Sequence, residues 1–176
     1  TLYAKWTPMS YTFEFNGNGA TSGGVSSIDI VFGNSATLPA NNYAKKHYSF
    51  LGWAYVTDSD EVHLTDKATI ALNNTFVEGA RAKGADISKY TIALYALWKA
   101  NDYVVHFSTG GGSTHEDITV TYGKTYGLNS EFPIPTRNGF SFTGWYTNKN
   151  FVGEQVSKLS IVGTCGETIT ESGEIT

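Results

Sequence analysis

Apolar and polar residues alternate in short runs along this chain. In Tyr11-Thr-Phe-Glu-Phe15, three aromatic residues are separated by Thr12 and Glu14. That period of two marks a strand with one buried and one wet face. Ile118, Val120 and Tyr122 alternate with Asp117, Thr119 and Thr121 in the same way, and Leu94, Ala96 and Trp98 share a face opposite Tyr95 and Leu97. Glycine-rich stretches at 16–24 and 109–113 supply hairpin connections. One stretch breaks the pattern and predicts a short helix. There Asn74 is placed to cap it, Phe76 and Ala80 share a face, and Gly84 is placed to end it, although Gly79 in its middle disfavours it.

The alternating runs recur. Leu2-Tyr-Ala-Lys-Trp6 returns as Leu94-Tyr-Ala-Leu-Trp98, 92 positions later. Tyr11, Phe13 and Phe15 match Tyr103, Val105 and Phe107 at the same offset, as Phe50, Gly52 and Trp53 match Phe142, Gly144 and Trp145. Between them the offset slips to 90, where Ile28, Ile30 and Phe32 match Ile118, Val120 and Tyr122. A slip confined to loops is what strand register permits. Each unit is therefore predicted to hold about four strands: strand, glycine loop, strand, Phe-x-Gly-Trp strand, variable region, and a closing Leu-Tyr-Ala-x-Trp strand.

This periodicity divides the chain into residues 1–8, the closing strand of a preceding repeat; 9–99, a complete repeat; and 100–176, a repeat lacking its closing strand. Ile175-Thr176 matches Ile92-Ala93, which leads into Leu94. The segment at 2–6 is then expected either to pad its neighbouring unit or to fill the open place of another molecule, head to tail, because buried backbone groups rarely stay unpaired.

Composition narrows the class. Forty per cent hydrophobic and 14% aromatic residues support a packed core. Nineteen glycines favour short strands and turns over long helices. A net charge of −4 argues against a nucleic-acid surface. No run approaches the roughly 18 apolar residues of a membrane span. Cys165 is the single cysteine, so no intrachain disulfide forms.

The landmarks resemble the Listeria–Bacteroides repeat, the family that includes the B repeats of internalins. The second unit carries the pattern most fully, in Val120-Thr-Tyr-Gly123 and then Phe132-Pro-Ile-Pro-Thr-Arg-Asn-Gly-Phe-Ser-Phe-Thr-Gly-Trp-Tyr-Thr147. The first unit departs from it, with Tyr43-Ala-Lys-Lys-His-Tyr48 in place of Pro135-Thr-Arg-Asn-Gly-Phe140. The resemblance implies a mainly β (α+β) fold of tandem β-grasp-like units, each a small mixed sheet with at most a short helix. It also implies a bacterial cell-surface or secreted protein whose repeats act as spacers and as adhesion or interaction modules, and it brings no enzymatic residues.

Each chemically suggestive cluster has a plainer reading that fits better. Gly123-Lys124-Thr125 lacks the upstream glycine of a phosphate loop, because Ile118 stands there. The triple glycine at 110–112 precedes no helix pattern and reads as a hairpin loop. Asp58-Ser-Asp-Glu61 offers oxygens without the spacing of a calcium loop. His106, His115, Glu116 and Asp117 lack metal-ligand spacing and read as a wet surface. Cys165 has no histidine partner motif and reads as a small packed residue. Asn73-Asn-Thr75 fits a glycosylation acceptor, which reads as coincidence in a bacterial chain.

No cofactor or metal is expected. The residues at fixed repeat positions (Phe15, Phe50, Trp53, Trp98, Phe107, Phe142 and Trp145) read as core, since recurrence within an alternating pattern is what packing produces. Tyr55, Tyr90 and Tyr146 are the candidates for an exposed interaction face. The function expected is a non-enzymatic extracellular spacer and interaction segment, with neighbouring repeats and host glycoproteins or glycans as partners. A carbohydrate- or mucin-binding adhesin module and an accessory domain of a secreted hydrolase are the alternatives.

Overall fold

The structure is a computed structural model and describes residues 1–127, 132–152, 155–156, 158–160 and 174–175. Two compact units divide the chain, Thr1–Lys99 and Ala100–Thr176. Both are built from small sheets.

In the first unit, β1 (Ser10–Asn16) pairs antiparallel with β2 (Ile28–Val31). β3 (Ser35–Thr37), β4 (Tyr48–Ala54), β5 (Thr69–Ala71), α1 (Asn74–Ala82) and a short 3-10 turn at Ser88–Tyr90 follow, and β6 (Thr91–Ala100) closes the unit. β6 lies parallel to β1, with Phe13 opposite Ile92 and Phe15 opposite Leu94. A parallel neighbour cannot be reached by a hairpin, so the whole intervening chain serves as the crossover. The sheet order is β2-β1-β6-β4, and β3 and β5 form a separate antiparallel ladder. Two more strands are present than the sequence pattern predicts, because three-residue strands are too short to show an alternation.

The alternation that predicted β1 and β6 is also the reason they pack. Phe13, Ile92, Leu94 and Ala96 are all fully buried, while Glu14 is exposed. Burying each of the larger side chains contributes about 1.5–3 kcal/mol. Helix α1 covers this core with Val77 and Ala80, with Phe76 packed at its margin. Its cap is Asn73 rather than Asn74: the Asn73 carboxamide accepts from the Phe76 amide at 3.0 Å. The helix ends in paired bonds, Ala85 N–H to Ala80 O and Gly84 N–H to Arg81 O, each 3.0 Å. That geometry needs a left-handed residue, and Gly84 supplies it at φ +90°.

In the second unit, β7 (Asp102–Val105) pairs antiparallel with β8 (Ile118–Thr121), with Tyr103 opposite Val120. β9 (Thr125–Gly127) pairs antiparallel with β10 (Lys158–Ser160), repeating the β3–β5 ladder. β11 (Glu174–Ile175) lies parallel to β7, with Val105 opposite Ile175. This is the register of Phe13 against Ile92. The second core gathers Tyr103, Val120, Phe132 and Val156.

The two units part company at the Phe-x-Gly-Trp strand. In the first unit it is β4, seven residues long; its counterpart at 140–146 holds two isolated bridges, Phe140 to Arg137 and Trp145 to Val156. The segment at 2–6, expected as a strand, forms none within the described chain. Leu2, Tyr3 and Trp6 there are 100%, 89% and 88% exposed.

Candidate interaction surface

Trp53 organises the first unit. It is fully buried, and Phe15, Phe50 and Tyr43 stand edge-on to it at 4.9, 5.0 and 6.3 Å. Its indole N–H has no acceptor among the described residues. Trp98 is half-buried, stands edge-on to Phe50 at 5.6 Å and donates its indole N–H to the Gly17 carbonyl at 2.9 Å. In the second unit Trp145 is half-buried, packs on Phe107 and Phe142 at 4.9 and 5.3 Å, and donates to the Pro133 carbonyl at 2.9 Å. Phe142 itself is 36% exposed.

The glycine of each Phe-x-Gly-Trp motif has a backbone reason. Gly52 and Gly144 adopt φ of +153° and +145°, where side chains are strained. A Cβ at Gly52 would sit 2.5 Å from Val62 Cγ1 and 2.8 Å from the Leu64 carbonyl. At Gly144 it would meet the Gln155 side chain. Trp53 bridges Leu64 just as Trp145 bridges Val156. These partners are again 92 positions apart, so the repeat continues into a stretch that pattern reading leaves as variable. Leu64 and Val156 differ in identity, and the loops before them share no motif, which is why the match is hard to see in sequence.

The three candidate tyrosines fare differently. Tyr55, expected on the surface, is 5% exposed and belongs to the core. Burial pushes its phenol up to about 12. His63 stacks on its ring at 4.9 Å, and the His63 Nδ1 accepts from the Tyr55 amide at 3.0 Å. Residues 52–55 are all buried because the 62–64 segment covers the end of β4, and this overrides the alternation. Tyr90 is 41% exposed and stands edge-on to Tyr11 at 5.3 Å. Tyr146 is half-buried and stands edge-on to Phe151, itself 73% exposed.

The polar clusters resolve into local structure. In the 58–61 loop, Ser59 Oγ accepts from the Glu61 amide and donates to its carbonyl, while the Glu61 carboxylate pairs with Lys83 at 3.1 Å. The Lys83 contact lowers the Glu61 pKa, and burial lowers that of His63. Of the four residues at 106 and 115–117, the structure joins His106 to Asp117 at 2.7 Å; His115 turns to Ser113 at 3.4 Å. No group of three metal-ligating side chains occurs among the described residues. Gly123 turns the chain between β8 and β9 at φ +80°. Gly110 and Gly111 form a turn, and the Gly110 carbonyl accepts from Arg137 at 3.0 Å. Cys165 lies outside the described residues.

Two small mainly β units with matching ladders define a tandem repeat protein. The Listeria-Bacteroides repeat domain matches residues 11–77 and again 103–169, and the chain belongs to that family. Two proteins of Evansella cellulosilytica are similar to it. One, named "Putative membrane protein", is 32% identical over 85% of this chain. The other, named "Putative Gly-rich membrane protein", is 28% identical over 85%. The chain spans only 19% and 15% of their lengths. No solved structure matches. Among the described residues, no helix is long and apolar enough to cross a membrane.

Proposed function

We propose that the chain is a non-enzymatic, extracellular segment of a bacterial cell-surface protein, serving as spacer and interaction module. The observation that carries this reading is the duplication itself. The same ladders and the same tryptophan bridge are built twice, and one residue, Asn101, separates β6 from β7. Repeats of this kind stack interactions along a chain instead of assembling one catalytic centre. Similar segments occur in two much longer proteins whose names read "Putative membrane protein" and "Putative Gly-rich membrane protein", which supports a surface location. A parallel pair at the centre of the first sheet supports assigning the units to the β-grasp class, with α1 displaced into the connection before β6.

The exposed aromatic residues of the second unit, Phe140, Phe142 and Phe151, favour an adhesive role over a purely mechanical one. Titration of the chain with mucin and a broad glycan panel, followed by tryptophan fluorescence, distinguishes these roles. A saturable response weakened by Phe151→Ala supports adhesion. No response to any member leaves the spacer role. Hydrolysis of any panel member by the purified chain would overturn the non-enzymatic reading.

A further inference from the structure

One constellation occurs in both units. Lys45 and Arg137 stand 92 positions apart, as do Tyr48 and Phe140, and Gly19 and Gly111. The Lys45 ammonium lies 4.5 Å from the centre of the Tyr48 ring, and the Arg137 guanidinium 4.2 Å from that of Phe140. A Cβ at Gly19 would meet the Lys45 Nζ at 3.3 Å, and one at Gly111 the Arg137 Cζ at 3.8 Å. The glycine loops are pinned alike: the Thr21 amide donates to the Ala44 carbonyl at 2.7 Å, and the Ser113 amide to the Thr136 carbonyl at 2.8 Å. In each unit a cation stacked on a ring therefore stands beside a bare glycine turn.

The two cations are used differently. Arg137 donates to the Gly110 carbonyl at 3.0 Å. Lys45 is half-buried, and among the described residues it makes no ion pair with a carboxylate. Lys46 and His47 follow it, forming the longest basic run in a chain of net charge −4. Beside Lys45, residues 16–23 and Tyr43 line an open cleft of about 340 Å³, at the lower end of the range for small-molecule sites. Its wall is held in place. The Asn18 carboxamide donates to the Thr57 and Ala96 carbonyls at 2.9 and 3.0 Å, and the Tyr43 hydroxyl to the Phe15 carbonyl at 2.8 Å. A Cβ at Gly17 would press on the Tyr43 ring at 2.7 Å, and one at Gly23 on the Asn42 carbonyl. A cleft fixed before binding loses little freedom when a ligand arrives.

We propose that this cleft of the first unit binds an acidic sugar. The Lys45 ammonium pairs with a carboxylate or sulfate ester in a charge-assisted contact. Peptide groups, carboxamides and hydroxyls of the loop bond the ring hydroxyls. A wall of that chemistry suits a ligand rich in hydroxyls, because an apolar side chain would find little to pack on. A long polyanion would be repelled by the net negative charge of the chain, so a single acidic sugar residue suits the site better. The proposal rests on the adhesive role and gives it a ligand class and a place.

The test titrates the whole chain with sialyllactose, which carries a carboxylate, with sulfated lactose and with neutral lactose. At least one acidic probe should bind at least about tenfold tighter than lactose, and Lys45→Met, which keeps the apolar stem and removes the charge, should erase that gap. In the unaltered chain the acidic probe should slow amide exchange at Gly19 and Gly23. Arg137→Met should leave binding unchanged. The tighter acidic probe identifies the anion. Lactose bound as well as the acidic probes, a gap that survives Lys45→Met, unaltered exchange at Gly19 and Gly23, or an equal loss in Arg137→Met overturns the site. So does oligo-aspartate bound as tightly as the acidic sugars, because charge alone would then be read. Any of these leaves the adhesive role standing while other glycans still bind; a chain that binds no glycan overturns both.

Discussion

Trp53 and Trp145 stand in the same motif, follow glycines of nearly the same φ, and make the same kind of bridge, yet one is fully buried and the other only partly. The local chain is thus equivalent in the two units and the burial is not. The first unit sets a long strand beside the motif. In the first unit β6 arrives from some forty residues downstream and lies beside β4, its Leu94 and Ala96 sharing one core with Trp53. In the second, residues 140–146 do not form a strand. A motif sets backbone conformation; a strand distant in sequence decides whether its tryptophan is core.

The sharpest way to break this comparison is to truncate both tryptophans. Trp53→Ala should destabilise the first unit by about 3–5 kcal/mol, the range for a fully buried aromatic residue. Trp145→Ala should cost less than half as much in the second, because less apolar area is lost. Urea unfolding followed by amide exchange, which resolves the two units, measures both. Equal losses would show that the second tryptophan is as well packed as the first.

The glycines come next. Gly52→Ala drives a methyl group into the Leu64 carbonyl, which cannot move without breaking the Trp53 bridge, and adds about 1–3 kcal/mol of backbone strain. Gly144→Ala carries the same strain, but the nearest atoms to its methyl group belong to the Gln155 side chain, which can rotate away at the loss of its bond to the Thr143 carbonyl. The first substitution should therefore lower the thermal midpoint more than the second. A smaller effect follows from the helix. Asn73→Ala removes the cap of α1 and should cost about 1 kcal/mol, read as faster exchange of the Phe76 amide.

The smallest effect is a pH dependence confined to one unit. Burial is the first cause holding the His63 pKa below its ordinary 6.5, with Lys83 adding repulsion and Glu61 opposing it. The unfolded chain then binds a proton more readily than the folded one. Stability from this group is complete above 6.5 and declines as pH falls from there towards the lowered folded value. Protonation also removes the lone pair that accepts from the Tyr55 amide. The position 92 residues on is Gln155, which does not titrate. Mild acid should therefore loosen residues 54–64 and leave 145–156 unchanged by amide exchange, and His63→Gln should abolish the difference between pH 7 and pH 5.

Much of the architecture was legible beforehand. Alternation located β1, β2, β6 and β8, and the offset paired them between units, because half-buried strands must show a period of two. The helix was visible through Phe76, Ala80 and Gly84, although its cap fell one residue earlier than read. The short ladders β3–β5 and β9–β10 carry too few residues to leave a pattern. Tyr55 was misread because residues 52–55 are buried from both sides, by the sheet and by the segment that bridges Trp53.

By itself, then, the sequence determined that this protein is a duplicated mainly β repeat, and which positions of each copy point inward. Those follow from local chemistry: side-chain alternation, turn glycines and a capped helix. Only the tertiary structure decided which of the inward positions become core. Burial depends on which strand lies alongside, and a parallel neighbour is always supplied from far along the chain. That is why Leu94-Tyr-Ala-Leu-Trp98 is packed while the nearly identical Leu2-Tyr-Ala-Lys-Trp6 stands in solvent.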